Sequence, residues 1–166
     1  MNEKILITGG AGFIGLNLAN KLASSSYDVV IVDNFDRAIK DKFLEDSLNR
    51  SNISLINVDL LNEKSVLTMD KDYHAIFHLG AIIGVRHVLN KPFAVLYDNV
   101  QMLANIIKLS HLQGIEVTRL LFASTSEIYA GTLNYFDMKI PTPETTPLAV
   151  SDLAQPRTSY MLSKLY

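Results

Sequence analysis

Three short stretches of this sequence place reactive residue types at spacings that can do chemistry. Tyr160-Met161-Leu162-Ser163-Lys164 sets a phenol and an amine four residues apart. On a helix that spacing brings both side chains to one face. An ammonium beside a phenol favours the phenolate and lowers a pKa that is otherwise about 10. Tyr160 is then expected to act as a general base near neutral pH. By itself the pair is also what an ordinary helix face carries. The second stretch is Ser124-Thr125-Ser126-Glu127-Ile128-Tyr129, directly after an apolar run that reads as a strand. In an open α/β sheet, ligands sit beyond the carboxyl ends of the strands. A hydroxyl there can hydrogen-bond a reacting alcohol, and Glu127 adds a carboxylate able to act as a second acid or base. The same cluster could simply cap a helix.

The third stretch is Gly9-Gly10-Ala11-Gly12-Phe13-Ile14-Gly15, between the apolar run Ile5-Leu6-Ile7 and a helical pattern. Gly10, Gly12 and Gly15 fit G-x-G-x-x-G, and Gly9, Gly12 and Gly15 fit G-x-x-G-x-x-G. Early glycines allow the tight turn, the middle one admits a diphosphate to the backbone, and the last lets helix and strand pack closely. The helix N-terminus then offers N–H groups to the phosphates. Asp33 ends the second apolar run at the distance expected after such a turn. A carboxylate there accepts from the adenosine ribose hydroxyls and repels a 2′-phosphate, which favours NAD over NADP. Arg37 keeps NADP as the alternative. Asp59, after the third apolar run, is a candidate for the adenine amino group or for the N-cap of the next helix.

The elements that must position these residues alternate along the chain. Strands are expected over 4–8, 29–32, 53–58, 74–79 and 119–123, and helices over 13–24, 39–48, 63–69 and 93–111. The strands are continuously apolar, which predicts a parallel sheet covered on both faces: a Rossmann-type, doubly wound α/β fold in one domain over 1–166. Residues 131–156 hold all but one of the five prolines and read as a long irregular excursion, with a new helix beginning near Arg157. Loops of that length in a compact domain are often functional.

Composition narrows the classes. The formal charge is −2, which draws the chain neither to nucleic acid nor to an anionic membrane. There is no cysteine, so disulfides and thiolate metal sites are excluded, and no metal site is expected. No signal peptide precedes the first strand and no apolar run is long enough to span a bilayer, so a cytoplasmic protein is expected.

Taken in order, these motifs resemble the extended short-chain dehydrogenase/reductase family of nucleotide-sugar epimerases, dehydratases and decarboxylases. Thr8-Gly9-Gly10-Ala11-Gly12-Phe13-Ile14-Gly15 is similar to the family's T-G-G-x-G-F-I-G opening. Asp33-Asn34 resembles its ribose site and Asp59-Leu60 its adenine site. His78-Leu79-Gly80-Ala81 resembles H-L-A-A, with glycine at the third place, and Asn99-Val100 resembles the start of its long helix segment. The resemblance implies cofactor contacts from Gly9, Gly12, Phe13, Ile14, Gly15, Asp33, Asn34, Asp59, Leu60, Leu79, Gly80, Ala81, Asn99, Tyr160 and Lys164. Alignment on Ile128-Tyr129 makes Thr125 the family's catalytic hydroxyl, with Glu127, Tyr160 and Lys164 completing the catalytic set. Thr125, Ser126, Glu127 and Arg86 are the implied substrate contacts, Arg86 from a segment 82–87 expected to line the sugar site. Ala130 departs from the family's usual glycine.

The implied chemistry is transient oxidation of the sugar at C4 by hydride transfer to NAD, followed by loss of water, loss of carboxylate, or return of hydride from the other face. Glu127 favours the first two. Family members are longer, so the resemblance also implies a truncated chain that lacks its C-terminal substrate-binding part, is inactive alone, and dimerises when complete. Two other functions fit the motifs: an NADP-dependent reductase of the same fold, and a non-catalytic dinucleotide sensor. An intact Thr125, Tyr160 and Lys164 argues against the sensor.

Overall fold

The computed structural model describes residues 2–114, 116–150 and 152–165, with backbone alone at Val85. Elements follow in chain order: β1 (Lys4–Thr8), α1 (Phe13–Ser24), β2 (Asp28–Asp33), α2 (Lys42–Leu48), β3 (Ile53–Asn57), α3 (Glu63–Leu67), β4 (Tyr73–His78), α4 (Val85–Asn90), α5 (Pro92–His111), β5 (Arg119–Phe122), α6 (Ala130–Tyr135) and α7 (Pro156–Leu162). A 3₁₀ turn at Ser126–Tyr129 precedes α6. The chain falls into two compact units. Unit 1 comprises Met1–Ala81 and Gln101–Ala123, and unit 2 comprises Ile82–Val100 and Ser124–Tyr166.

Unit 1 holds the whole sheet, in the order β3-β2-β1-β4-β5, every pairing parallel. This is the expected Rossmann-type arrangement. Strand order reverses between β1 and β4, so the crevice at their carboxyl ends is the topological switch point. One sheet face buries Ile5, Ile7, Val29, Ile31 and Ala75 with Leu16, Ala19 and Ala23 of α1. The alternate residues Leu6, Val30, Val32 and Ile76 are buried too, so both faces are covered across the central strands. That double burial is why these strands are continuously apolar. On the edge strand β5, Arg119 and Leu121 are exposed.

Unit 2 is built from α4, the first half of α5, the 3₁₀ turn, α6 and α7, with contacts of α7 to α4 and to the 3₁₀ turn. Its irregular segment is pinned by Thr132, whose hydroxyl donates to Pro147 O (2.8 Å) and accepts from Ala149 N (3.0 Å).

Several expected boundaries move, for local reasons. The helix expected over 39–48 starts only at Lys42, because Asp41 caps it by accepting from Leu44 N at 2.9 Å. The excursion over 131–156 is not wholly irregular, since α6 occupies its start. The six-residue α4 is an element that the sequence pattern did not announce. Lys164 lies just past the last helical residue, Leu162, in a turn where its N–H reaches Met161 O at 3.0 Å. The helix expected to begin near Arg157 thus ends at Leu162, before Lys164, and Tyr166 lies outside the described residues. Among the described residues no helix is long and apolar enough to cross a membrane.

Candidate functional site

In unit 1 the glycine turn is built by contacts that only glycine permits. Gly9 sits at φ +65°, and a Cβ there would come within 2.8 Å of Gly80 N. At Gly15 a Cβ would strike Gly9 O and sit 2.7 Å from Gly10 Cα. The turn is closed by Gly12 N donating to Gly9 O at 3.2 Å. No side chain caps α1 and its first turn carries no acidic residue. Its first N–H groups therefore form an anion-binding end lacking a side-chain occupant. Phe13 and Ile14, in that turn, are 86% and 69% exposed, a large apolar surface at the mouth. These features fit a dinucleotide diphosphate.

Asp33 does more than end β2. One carboxylate oxygen accepts from Ala11 N (3.2 Å) and the other from Phe35 N (2.9 Å), so it ties the glycine turn to its own loop. Asn34 is exposed and accepts from Asp36 N at 3.1 Å. Asp59 is exposed and accepts from Leu61 N at 3.0 Å, while Asn62 caps α3. The alternative that Asp59 is that helix's N-cap is thereby set aside. Leu60 is buried, and Leu79, Gly80 and Ala81 follow β4 at the switch point. Unit 1 thus brings together every residue expected to hold the cofactor except Asn99, Tyr160 and Lys164, which belong to unit 2.

Unit 2 gathers Thr125, Ser126, Glu127, Tyr160 and Lys164. Thr125 caps the 3₁₀ turn, its hydroxyl accepting from Glu127 N at 3.3 Å. The capping role weighed for this cluster is therefore real, and it orients Thr125 and Glu127 together. Tyr160 departs from expectation: its pKa is raised, not lowered. Burial of the phenol is the largest cause and the negative charge of Glu127 the second, with a hydrogen bond from the Thr125 hydroxyl pulling the other way. The amine expected to stabilise the phenolate is itself perturbed. Lys164 is 3% exposed and its pKa is brought down to about 8, because burial disfavours the ammonium. At pH 7 it is still largely protonated.

Two hydroxyls hold the backbone around this pair. Ser163 Oγ donates to Tyr160 O (2.7 Å), and Ser124 Oγ donates to Lys164 O (2.8 Å). Asn99, buried, grips Ile82 through both N–H and C=O (2.7 and 3.1 Å) and donates to Ser163 Oγ at 3.2 Å. Arg86 is exposed on α4.

Sequence reasoning missed several supports. In unit 1, Thr8 Oγ1 lies 2.7 Å from His78 Nδ1 and accepts from Gly80 N at 3.1 Å, joining the ends of β1 and β4. Which of Thr8 and His78 donates in this contact follows from the imidazole tautomer, while Gly80 N donates to the same hydroxyl oxygen. Ser124 was visible only as a member of a polar run, and Ser163 only as a spacer between Tyr160 and Lys164. Asn105 carried a signal: a lone amide within the apolar run of α5, where buried polar groups are rare and need partners.

The family model for the NAD dependent epimerase/dehydratase family matches residues 5–166. The chain is 37% identical over 129 residues to a UDP-N-acetyl-alpha-D-glucosaminuronate decarboxylase of Bacillus cytotoxicus, covering 78% of this chain and 38% of that protein. It is 32% identical over 169 residues to a UDP-glucuronate 4-epimerase of Thermodesulfobacterium geofontis, covering 97% of this chain and 51% of the relative. Among solved structures, the UDP-Glc/GlcNAc 4-epimerase of Campylobacter jejuni superposes with a TM-score of 0.79 at 27% identity, over 99% of this chain and 46% of that one. The chain thus spans about half the length, or less, of the relatives it matches. With the glycine turn, the switch-point crevice and the Thr–Tyr–Lys set in place, this match establishes that the chain belongs to the NAD-dependent epimerase/dehydratase family.

Proposed function

We propose that residues 1–166 form the dinucleotide-binding domain of an enzyme that uses NAD to remodel a nucleotide-linked sugar through transient oxidation at C4. The observation that carries this is the grouping of Thr125, Glu127, Tyr160 and Lys164 in one unit, on a chain whose other unit presents an uncapped glycine turn and Asp33. The decarboxylase and the epimerase to which the chain is similar both act on a UDP-linked uronate, which supports a UDP-sugar as the substrate here. NAD⁺, when bound, supplies the hydride acceptor and a positive charge. Gly9, Gly12, Gly15 and the first turn of α1 would hold its diphosphate, Asp33 its adenosine ribose and Asp59 its adenine.

Tyr160 takes the proton of the C4 hydroxyl as hydride leaves C4. Thr125 bridges that hydroxyl and the phenol. Burial and Glu127 keep Tyr160 protonated at rest, so it becomes a base only when positive charge, from Lys164 and the cofactor, outweighs them. Oxidation at C4 acidifies the neighbouring carbon. Glu127 is the group on hand to move a proton there, which favours loss of water or of carboxylate over simple epimerisation. Arg86 would meet a substrate carboxylate or phosphate, with Ser126 beside the sugar. The stacked, exposed rings of Phe93 and Tyr97 on α5 support a homodimer in the working enzyme.

The test is a panel of UDP-, GDP-, CDP- and dTDP-sugars incubated with NAD⁺ and the full gene product, whether or not it extends past Tyr166. Product masses are then read. Loss of carbon dioxide or water from a UDP-sugar is expected, and residues 1–166 alone are expected to bind NAD⁺ without turnover. No change in any sugar, mass or stereochemistry, would overturn the proposal.

A further inference from the structure

A fully buried amide stands in the middle of an apolar helix. Asn105 is 0% exposed, and its neighbours on α5, Met102, Leu103, Ile106 and Leu109, are buried too. An amide taken out of water without partners is strongly disfavoured, so a buried one marks a place where its hydrogen bonds are used. Asn105 Nδ2 donates to Leu60 O at 2.8 Å, and its Oδ1 accepts from Gln101 Nε2 at 3.0 Å. One turn on, Lys108 Nζ donates to Glu63 at 2.8 Å. Positions 101, 105 and 108 share one helix face. That polar face addresses Leu60, in the loop between β3 and α3, and Glu63, the first residue of α3.

Leu60 is gripped from its other side as well. A Cβ on Gly80 would come within 3.0 Å of Leu60 Cδ1, so the side chain already lies against the loop after β4, which Thr8 holds in turn. The residue before Leu60 is Asp59, exposed and folded into a tight turn by Leu61 N and Asn62 N, both at 3.0 Å. Its carboxylate therefore cannot shift independently of the Leu60 backbone that Asn105 holds.

We propose that Asn105, oriented by Gln101, is a positioning residue that sets Asp59 for recognition of the adenine amino group, and so gives the dinucleotide site its selectivity for adenine over other purines. This rests on unit 1 holding a dinucleotide and on Asp59 facing its base.

The experiment compares NAD⁺ with nicotinamide hypoxanthine dinucleotide, in which a carbonyl replaces the amino group. Dissociation constants are measured by calorimetry on the purified 166-residue chain, with thermal unfolding alongside. In the wild type, NAD⁺ should bind on the order of tenfold more tightly, the worth of a hydrogen bond to a charged acceptor. Asn105→Leu should bring that ratio close to one, and Gln101→Ala, a milder change that keeps the test alive if the first variant does not fold, should lower it part of the way. A purely structural role for Asn105 would lower the unfolding temperature and weaken both dinucleotides alike, leaving the ratio unchanged. That result, with Asp59→Ala still abolishing the selectivity, overturns the inference while Asp59 keeps its role. Selectivity that survives Asp59→Ala overturns the adenine assignment and the inference together. Failure of the wild type to bind either dinucleotide overturns both along with the proposed cofactor site.

Discussion

At Tyr160 two influences raise the phenol pKa and one lowers it, and the raising pair wins. Removing the charge on Glu127 should tip the balance. In Glu127→Gln, Tyr160 is expected to titrate at lower pH than in the wild type. Carbon-13 NMR of tyrosine Cζ, with the resonance assigned through Tyr160→Phe, reads this directly, and an unmoved titration would remove Glu127 from the electrostatics of the site. Lys164 makes a second residue-scale prediction. Its folded-state pKa of about 8 lies below that of an unfolded lysine, about 10.4. Between those values the unfolded chain retains a proton that the folded chain has released, so stability rises with pH. The raised tyrosines, Tyr73 and Tyr160, act in the opposite direction, but only above the ordinary tyrosine range of about 10. Urea midpoints should therefore climb from about pH 8 to about pH 10 in the wild type and stay flat in Lys164→Met. The same rise in both proteins would mean that the lysine is not buried as described.

Elements show where sequence patterns carry information and where they stop. The glycine turn was legible because its constraints are local: Gly9 needs positive φ, and Gly15 leaves no space for a Cβ against Gly10. Gly15→Ala should cost about 1–3 kcal/mol through overpacking and weaken NAD⁺ binding sharply. Calorimetry and chemical denaturation check the two effects separately, and a neutral outcome would contradict the close approach. The strands were legible because both sheet faces are buried and each strand reads as one apolar run. The start of α2 was misplaced because Ile39 and Lys40 continue the helical pattern while the Asp41 cap decides the boundary. Asp41→Ala should lower stability by about 1 kcal/mol, seen as a shift in the urea midpoint. The six residues of α4 are too short to show a period. The sense of the Tyr160 shift could not be read from the sequence at all. Spacing places a lysine near a tyrosine but says nothing of burial, and burial dominates both groups.

At the scale of the molecule, the chain falls into two compact units: one holds the parallel sheet with its switch-point loops, the other Thr125, Glu127, Tyr160 and Lys164. Each unit carries its own tethers. Thr8, His78 and Asn105 organise the first, and Asn99, Ser124 and Ser163 the second. In the proposed function, Tyr160 takes the proton of a sugar hydroxyl as the carbon that bears it is oxidised. UDP-glucuronate deuterated at C4 can be incubated with NAD⁺ and the full gene product, and the cofactor recovered and analysed by mass spectrometry. Deuterium on the reduced cofactor is expected with the wild type and none with Tyr160→Phe, which should still bind NAD⁺. Products formed with no deuterium ever reaching the cofactor, or undiminished transfer in Tyr160→Phe, would exclude Tyr160 as the base in this oxidation.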